Sequence, residues 1–324
     1  MVPMVDFTVA IPTYNGEHRL PLVLERLRSQ LNTAHFSWVV IVVDNNSTDH
    51  TAEVVRHYQD LYLADKNDIS LFYCVELQQG SGFARKRAMQ EAESDLVGFL
   101  DDDNIPDPHW VSAAYQFAQE HPKAGAYGSR IDGEFETDVP PELEKLLPFL
   151  AITKRGMVPL LYRPDQKILP PSAGLVLRKQ AWQEAVPDHM ILVGRIHGNM
   201  LAGEDTELLA HIQRSPWEIW YNPAMNVVHK IPETRLQREY LLPLFRGIGL
   251  SRHVSRMLSV RDWQQPIMFF AYLINDLRKI IQYQFKYGRK LKNNLVLACE
   301  FELLTHSLAS PFYLWTNGYL RTKK

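Results

Sequence analysis

Leu96-Val97-Gly98-Phe99-Leu100-Asp101-Asp102-Asp103 decides the reading of this chain, because an apolar run stops abruptly at three consecutive carboxylates. An apolar run of that length reads as a strand buried on both faces, as in a parallel sheet. Adjacent carboxylates repel one another and destabilise a fold unless a cation neutralises them. Hard divalent cations such as Mg2+ or Mn2+ take oxygen ligands and bridge to phosphates. The stretch therefore predicts a metal–diphosphate clamp at a strand end. The structural alternative is a solvated acidic turn, with Asn104, Pro106 and Asp107 capping the next helix.

Upstream of this run, strands and helices alternate. Phe7–Ile11 is a short apolar strand, and Leu20, Val23, Leu24, Leu27 and Leu31 share one face of a helix over Leu20–Leu31. Trp38–Val43 is a β-branched apolar run broken by Asp44-Asn45-Asn46-Ser47-Thr48-Asp49, after which Thr51–Tyr58 resumes helical spacing. Ser70–Val75 reads as a strand, Gln79-Gly80-Ser81-Gly82 as a turn and Phe83–Ala92 as a helix. This order predicts an α/β fold with a doubly wound, mostly parallel sheet. Ligands of such sheets sit beyond the carboxyl ends of the strands. The polar clusters Thr13-Tyr14-Asn15, Asp44 and Asp101–Asp103 fall at those ends.

Past Ser129 the pattern loosens. Asp138–Pro141 and Lys167–Pro171 read as loops, Ser172–Leu177 and Trp217–Tyr221 as short strands. After Thr234 the chain becomes helical again, and Arg235–Lys292 carries twelve Lys or Arg against three Asp or Glu. Pro266–Leu277 and Leu295–Leu314 are the most apolar stretches. The first ends at Asp276, Arg278 and Lys279 and the second carries Glu300, Glu302 and His306, so both read as amphipathic or buried helices rather than membrane spans.

The 324 residues, 46% of them apolar, suffice for a sizeable core. A net charge of −2 argues against a chain-wide nucleic-acid role. Cys74 and Cys299 form neither a disulfide framework nor a metal spacing, which points to a reducing compartment. The opening MVPMVDFTVAIPTYNG has no basic n-region and no cleavable apolar segment, so no signal peptide is expected.

Four further features bear on chemistry. Asp44, at a strand end, suits a base or ribose, or else an Asx turn, while Asp49 suits a helix cap. Gly80-Ser81-Gly82-Phe83-Ala84-Arg85 is similar to a phosphate-binding turn opening a helix, though position 85 breaks the dinucleotide fingerprint. Arg85 suits a phosphate; Lys86 and Arg87 suit a solvated face. Gly203-Glu204-Asp205 offers a general base for an acceptor hydroxyl, or an acidic helix N-terminus. His229 ends a short apolar run, as a metal ligand or as a structural histidine.

Taken together, Val9-Ala10-Ile11-Pro12-Thr13-Tyr14-Asn15-Gly16, Val42-Val43-Asp44-Asn45-Asn46-Ser47-Thr48-Asp49, Ala84-Arg85, Phe99–Asp103, Gly203-Glu204-Asp205 and His229 resemble the family 2 glycosyltransferases. The resemblance implies a GT-A-type nucleotide-diphospho-sugar transferase fold with a helical C-terminal extension. By it, Pro12, Thr13, Tyr14, Asn15, Asp44, Arg85, Asp101 and Asp102 line the nucleotide-sugar. Asp101 and Asp103 form a DxD pair for Mn2+ or Mg2+, with Asp103 the direct ligand and His229 a second metal-site residue. Asp205, with Glu204 beside it, is the base. The family's Ala-Arg-Asn is here Ala84-Arg85-Lys86, so only Arg85 carries over. Phe99–Pro106, Gly125–Ser129, Pro170–Leu177, Trp217–Pro223 and Gly249–His253 further resemble cyanobacterial hormogonium polysaccharide biosynthesis glycosyltransferases.

The resulting expectation is an inverting, metal-dependent glycosyltransferase. It would move a sugar, UDP-linked by family default, to a saccharide or lipid-linked saccharide during exopolysaccharide synthesis. Residues 1–128 would bind the nucleotide-sugar, 129–234 would bind the acceptor and supply the base, and 235–324 would form a basic helical segment. A nucleotidyltransferase of sugar phosphates would need a glycine- and basic-rich loop that Pro12-Thr13-Tyr14-Asn15-Gly16 lacks. A non-catalytic nucleotide-sugar-binding protein would need no base. A cytoplasmic location is expected, peripheral on the inner face of the plasma membrane, with Arg235, Arg238, Arg246, Arg252 and Arg256 facing anionic lipid and Phe269, Phe270 and Tyr272 as apolar anchors. The other reading of that segment is a solvated basic face.

Overall fold

The computed structural model describes residues 4–65, 69–166, 168–194 and 200–320. The first strands follow from β-branched apolar runs: β1 (Phe7–Thr13), β2 (Trp38–Asp44), β3 (Ser70–Val75) and β4 (Leu96–Phe99). β1 pairs in parallel with β2 and with β4, and β2 with β3. The helices between them are α1 (Leu20–Arg28), α2 (Thr51–Ala64) and α3 (Ser81–Glu91). α1 buries Leu20, Val23, Leu24 and Leu27 as its spacing predicts but ends earlier, so that Leu31 is exposed and its amide donates to the Pro108 carbonyl.

The sheet continues with β5 (Asn104–Pro106), β6 (Ala124–Phe135), β7 (Leu160–Leu161), β8 (Leu175–Arg178) and β9 (Glu218–Ile231). Among the described residues the order is β3-β2-β1-β4-β8-β6-β9-β5, with β7 paired to β9. β8 runs antiparallel to β4 and β6, and β9 antiparallel to β5 and β7. The core is apolar: Phe7, Val9, Ile11, Val40, Val42 and Leu96 meet Leu24 of α1 and Trp110 of α4 (Trp110–Glu120). Register fixes where the polar ends emerge. Thr13 lies opposite Asp44, and Phe99 opposite Ala10, so the three aspartates leave the sheet at the edge where Thr13 and Asp44 end their strands.

Two parts of the sheet differ from the sequence reading. The short strand expected at Trp217–Tyr221 is the start of the 14-residue β9. Its in–out alternation is interrupted at Asn222-Pro223-Ala224, where the Asn222 side chain accepts the Ala224 amide, and resumes in the same phase from Met225; that break hides its length. The strand expected at Ser172–Leu177 begins only at Leu175, after Gly174 at φ +66°.

The chain forms two compact units. The first is Met1–Glu134, Pro148–Pro187 and His211–Lys230, and holds the sheet and the short α5 (Lys179–Ala185). The second is Phe135–Leu147, Asp188–Ala210 and Ile231–Lys324, and is largely helical: α7 (Arg238–Leu258), α8 (Gln265–Tyr287) and α9 (Leu295–Thr316). Gly249 lets α7 approach α9, since a Cβ there would stand 2.8 Å from the Cβ of His306. Arg256 on α7 binds Asp276 on α8 through both carboxylate oxygens. Several residues expected to face lipid are thus used inside this unit. Arg246 pairs with Glu302, Arg252 donates to Ser307, Phe269 packs edge-on against His253, and Tyr272 lies under Arg256. Phe270 is exposed. Among the described residues no helix is long and apolar enough to cross a membrane.

Candidate active site

The site in the first unit starts at the loop after β1. Gly16 has no side chain for a reason of space: a Cβ would lie 2.2 Å from Thr13 Oγ1 and 2.9 Å from Asp102 Oδ2. That approach lets the Thr13 hydroxyl donate to Asp102 at 2.6 Å. Arg19 grips the same carboxylate from the other side, Nε to Oδ1 at 2.8 Å and Nη2 to Oδ2 at 2.9 Å. Asp102 is accordingly buried and satisfied, and it anchors the loop. The remaining loop residues stitch two strand ends together. The Asn15 amide donates to Ser47 Oγ and its carboxamide oxygen accepts the Thr48 amide. Asn15 and Asn46 take positive φ, which asparagine tolerates. Pro12 pairs in register with Val43, and Tyr14 is exposed, its carbonyl accepting from Arg19.

Asp44 is buried at the end of β2, with Oδ1 accepting the Ser47 amide at 2.8 Å and Oδ2 the Tyr73 hydroxyl at 2.7 Å. Each oxygen keeps a second lone-pair direction for a ligand. Burial, and then this carboxylate, push the Tyr73 phenol up, so it stays a donor. Asp49 accepts from Thr51 and Glu17, as a helix-capping residue does.

Asp101 and Asp103 are held differently from Asp102. Arg85 donates to Asp101 Oδ1 and to Ser172 Oγ, both at 2.9 Å. Burial pushes the Asp101 carboxyl up; Arg85 opposes the shift, while Asp103 and Asp102 add to it. Arg87 instead bridges Glu91 one turn along its own helix.

Asn104 couples the outer two aspartates, its carbonyl oxygen accepting the Asp101 amide and its amide donating to Asp103 Oδ1 at 2.9 Å. Pairing of β5 with β9 places Asn104 opposite His229, and His229 Nε2 stands 3.5 Å from Asp103 Oδ2. The other ring nitrogen, Nδ1, lies 3.0 Å from the Leu150 carbonyl. A carbonyl only accepts, so Nδ1 carries the proton and Nε2 is the nitrogen turned to Asp103. Both side chains are nearly enclosed, 7% and 12% exposed.

This pair fits a divalent cation. A carboxylate oxygen and an imidazole nitrogen fixed by a backbone carbonyl are the donor types that Mn2+ or Mg2+ accepts, with oriented ligands. Among the described residues no group of three or more His, Cys, Asp or Glu is gathered for a metal. Asp103 and His229 would hold the ion from the protein side, with phosphate and water completing its shell, as is common for such ions.

In the second unit, Gly203 at φ +115° turns the chain into α6 (Glu204–Gln213). Glu204 folds back to accept the Gly203 amide, and Asp205 Oδ1 accepts the Thr206 amide at 2.7 Å. Glu207 accepts the amides of Ile191 and Leu192, tying this turn to the preceding loop.

Sequence reasoning found the carboxylates and missed their partners. Arg19, Tyr73 and the Leu150 carbonyl belong to no run that points to chemistry, while Asn104 and Ser172 lie in runs that show family likeness without a role for either. The one available signal was Asn104, directly after the acidic run.

The chain matches the family described as Glycosyl transferase family 2 over residues 8–176. It is 30% identical over 118 residues to the poly(ribitol-phosphate) beta-N-acetylglucosaminyltransferase TarS of Staphylococcus aureus, a match covering 36% of this chain and 20% of TarS. The chain therefore spans about a fifth of that relative. The structure of TarS 1-349 in complex with UDP-GlcNAc aligns over 98% of this chain and 93% of that one, with a TM-score of 0.52 at 17% identity. The mannosyltransferase PcManGT from Pyrobaculum calidifontis, in complex with GDP-Man and Mn2+, aligns over 100% and 89%, with a TM-score of 0.58 at 16% identity. These likenesses show a shared GT-A fold. The matched family span runs from Thr8 in β1 to Val176 in β8, through every strand that ends in Thr13, Asp44 or the aspartates, and the chain belongs to glycosyl transferase family 2.

Proposed function

We propose that this protein is an inverting, metal-dependent glycosyltransferase. It takes a sugar from a nucleotide-sugar, UDP-linked, and places it on a hydroxyl of a growing or lipid-linked polysaccharide. The observation that carries this reading is the Asp103–His229 pair, 3.5 Å apart, with the histidine tautomer set by Leu150. Family membership and the nucleotide-sugar complexes of TarS and PcManGT support the donor class. They favour glycosyl over nucleotidyl transfer. The wider role in exopolysaccharide synthesis rests on the sequence resemblance alone.

Asp103 and His229 would hold the cation. When bound, Mn2+ or Mg2+ offsets the charge that builds on a departing diphosphate. Arg85, fixed by Asp101 and Ser172, adds a guanidinium on the phosphate side. Thr13 and Asp102 keep the loop after β1 in shape, while Asp44 accepts from the base or ribose. Asp205 removes the proton from the acceptor hydroxyl, whose oxygen attacks the anomeric carbon opposite the leaving diphosphate and inverts its configuration. A retained configuration in the product would rule out that single displacement. The free cysteines Cys74 and Cys299 support a reducing, cytoplasmic setting.

The test is Asp103→Ala, assayed for donor turnover with Mn2+ across a panel of nucleotide-sugars. Turnover should fall by about a hundredfold or more while circular dichroism stays unchanged; full turnover by a folded variant contradicts the reading.

A further inference from the structure

α8 carries its apolar residues on the wrong side for a helix that faces water. Ile267, Phe270, Ile274, Leu277, Ile281 and Phe285 recur at steps of three or four residues, and each is between 46% and 89% exposed. Trp263, in the turn before the helix, is 67% exposed. The stripe runs for about 27 Å along the helix.

The opposite face is pinned into the second unit by polar contacts. Asp276 binds Arg256, and the Tyr283 hydroxyl donates to Glu300 at 2.6 Å. Phe269 packs against His253. These pins fix the rotation of the helix, so the stripe cannot roll inward.

Charge identifies what covers it. Between Trp263 and Asn294 the chain holds Arg278, Lys279, Lys286, Arg289, Lys290 and Lys292, all exposed, against one acid, Asp276, which is buried and paired. A continuous apolar stripe with cations beside it, on a helix not long and apolar enough to cross a membrane, is the pattern of an interfacial helix. A second copy of the chain is the poorer occupant. A symmetric contact would set this patch against itself, with no exposed acid between Trp263 and Asn294 to answer the cations, whereas anionic headgroups supply the counter-charge.

We propose that the outer face of α8 docks into the headgroup layer of an anionic lipid bilayer, with Ile267 to Phe285 in the acyl boundary and the Lys and Arg side chains on lipid phosphates. This docking requires no donor chemistry and stands apart from the function proposed above.

The test is flotation of the full chain with vesicles of phosphatidylcholine, alone or mixed with phosphatidylglycerol. Binding should appear with the mixed vesicles and fall as salt rises. The Phe270→Ser, Ile274→Ser, Phe285→Ser triple variant alters only exposed side chains. It should keep its circular dichroism and its nucleoside diphosphate affinity, yet lose partitioning by about tenfold or more. Lys286→Gln, Arg289→Gln and Lys290→Gln should cost about fivefold per charge on anionic vesicles. The proposal is overturned if the wild-type chain ignores anionic vesicles, if the folded triple variant floats as well as wild type, or if sedimentation shows a lipid-independent dimer that the triple variant dissolves.

Discussion

Three adjacent aspartates take three different partners, and that division assigns their work. Asp102 is fully engaged by Thr13 and Arg19. Asp101 leans on Arg85, and Asp103 faces His229. The solvated acidic turn weighed from sequence is not what the chain builds, since Asp102 is 8% exposed. If Asp102 is an anchor, Thr13→Val should cost about 2 kcal/mol of stability, the net worth of one buried hydrogen bond to a carboxylate. Urea unfolding measures this; a variant as stable as wild type would remove the anchoring role. The aspartates were legible because a charge run after an apolar strand is local information. Arg19 and Tyr73 were not, because long-range strand register brings them in, and no single stretch encodes register.

At the scale of elements, β1 to β4 could be read because parallel strands buried on both faces are continuously apolar. β6 and β9 could not. β9 is interrupted at Asn222–Ala224, and β6 ends among Arg130, Asp132 and Glu134, which resemble loop residues until their cross-strand partners are known. Charge balance and apolar stretches did mark the helical region beyond Thr234, but not which face of α8 turns outward, since Asp276 and Tyr283 are bound by other helices. The α7–α8 packing makes its own prediction. Burial, and then Arg256, hold the His253 imidazole below its ordinary value, beside the Arg256–Asp276 pair and Arg252. The unfolded chain therefore binds a proton at higher pH than the folded one. Stability is whole above the ordinary histidine range and is lost as pH falls through it toward the depressed folded value. His253→Gln should flatten that loss in thermal melts taken from neutral pH downward. An unchanged pH slope would show that His253 does not contribute; His211, also depressed by burial, would then be the next candidate.

At the scale of the molecule, the first unit carries the residues assigned to the donor and the second carries Glu204, Asp205 and the exposed stripe of α8. That division predicts separable defects. Asp205→Asn should leave nucleoside diphosphate affinity unchanged and lower transfer by about a hundredfold or more, measured by equilibrium binding beside product formation. Undiminished transfer would move the base to Glu204 or elsewhere. The family and the fold were readable from motif order. The acceptor was not, because acceptor contacts depend on side chains that loops bring together rather than on any contiguous run.

The most direct test of the whole account is calorimetry of UDP binding, with Mn2+ present and again after complete chelation, on the wild-type chain and on His229→Ala. The account predicts binding that needs the metal, disappears with the chelator and weakens in the variant. Equal affinity with and without metal in both proteins would contradict it.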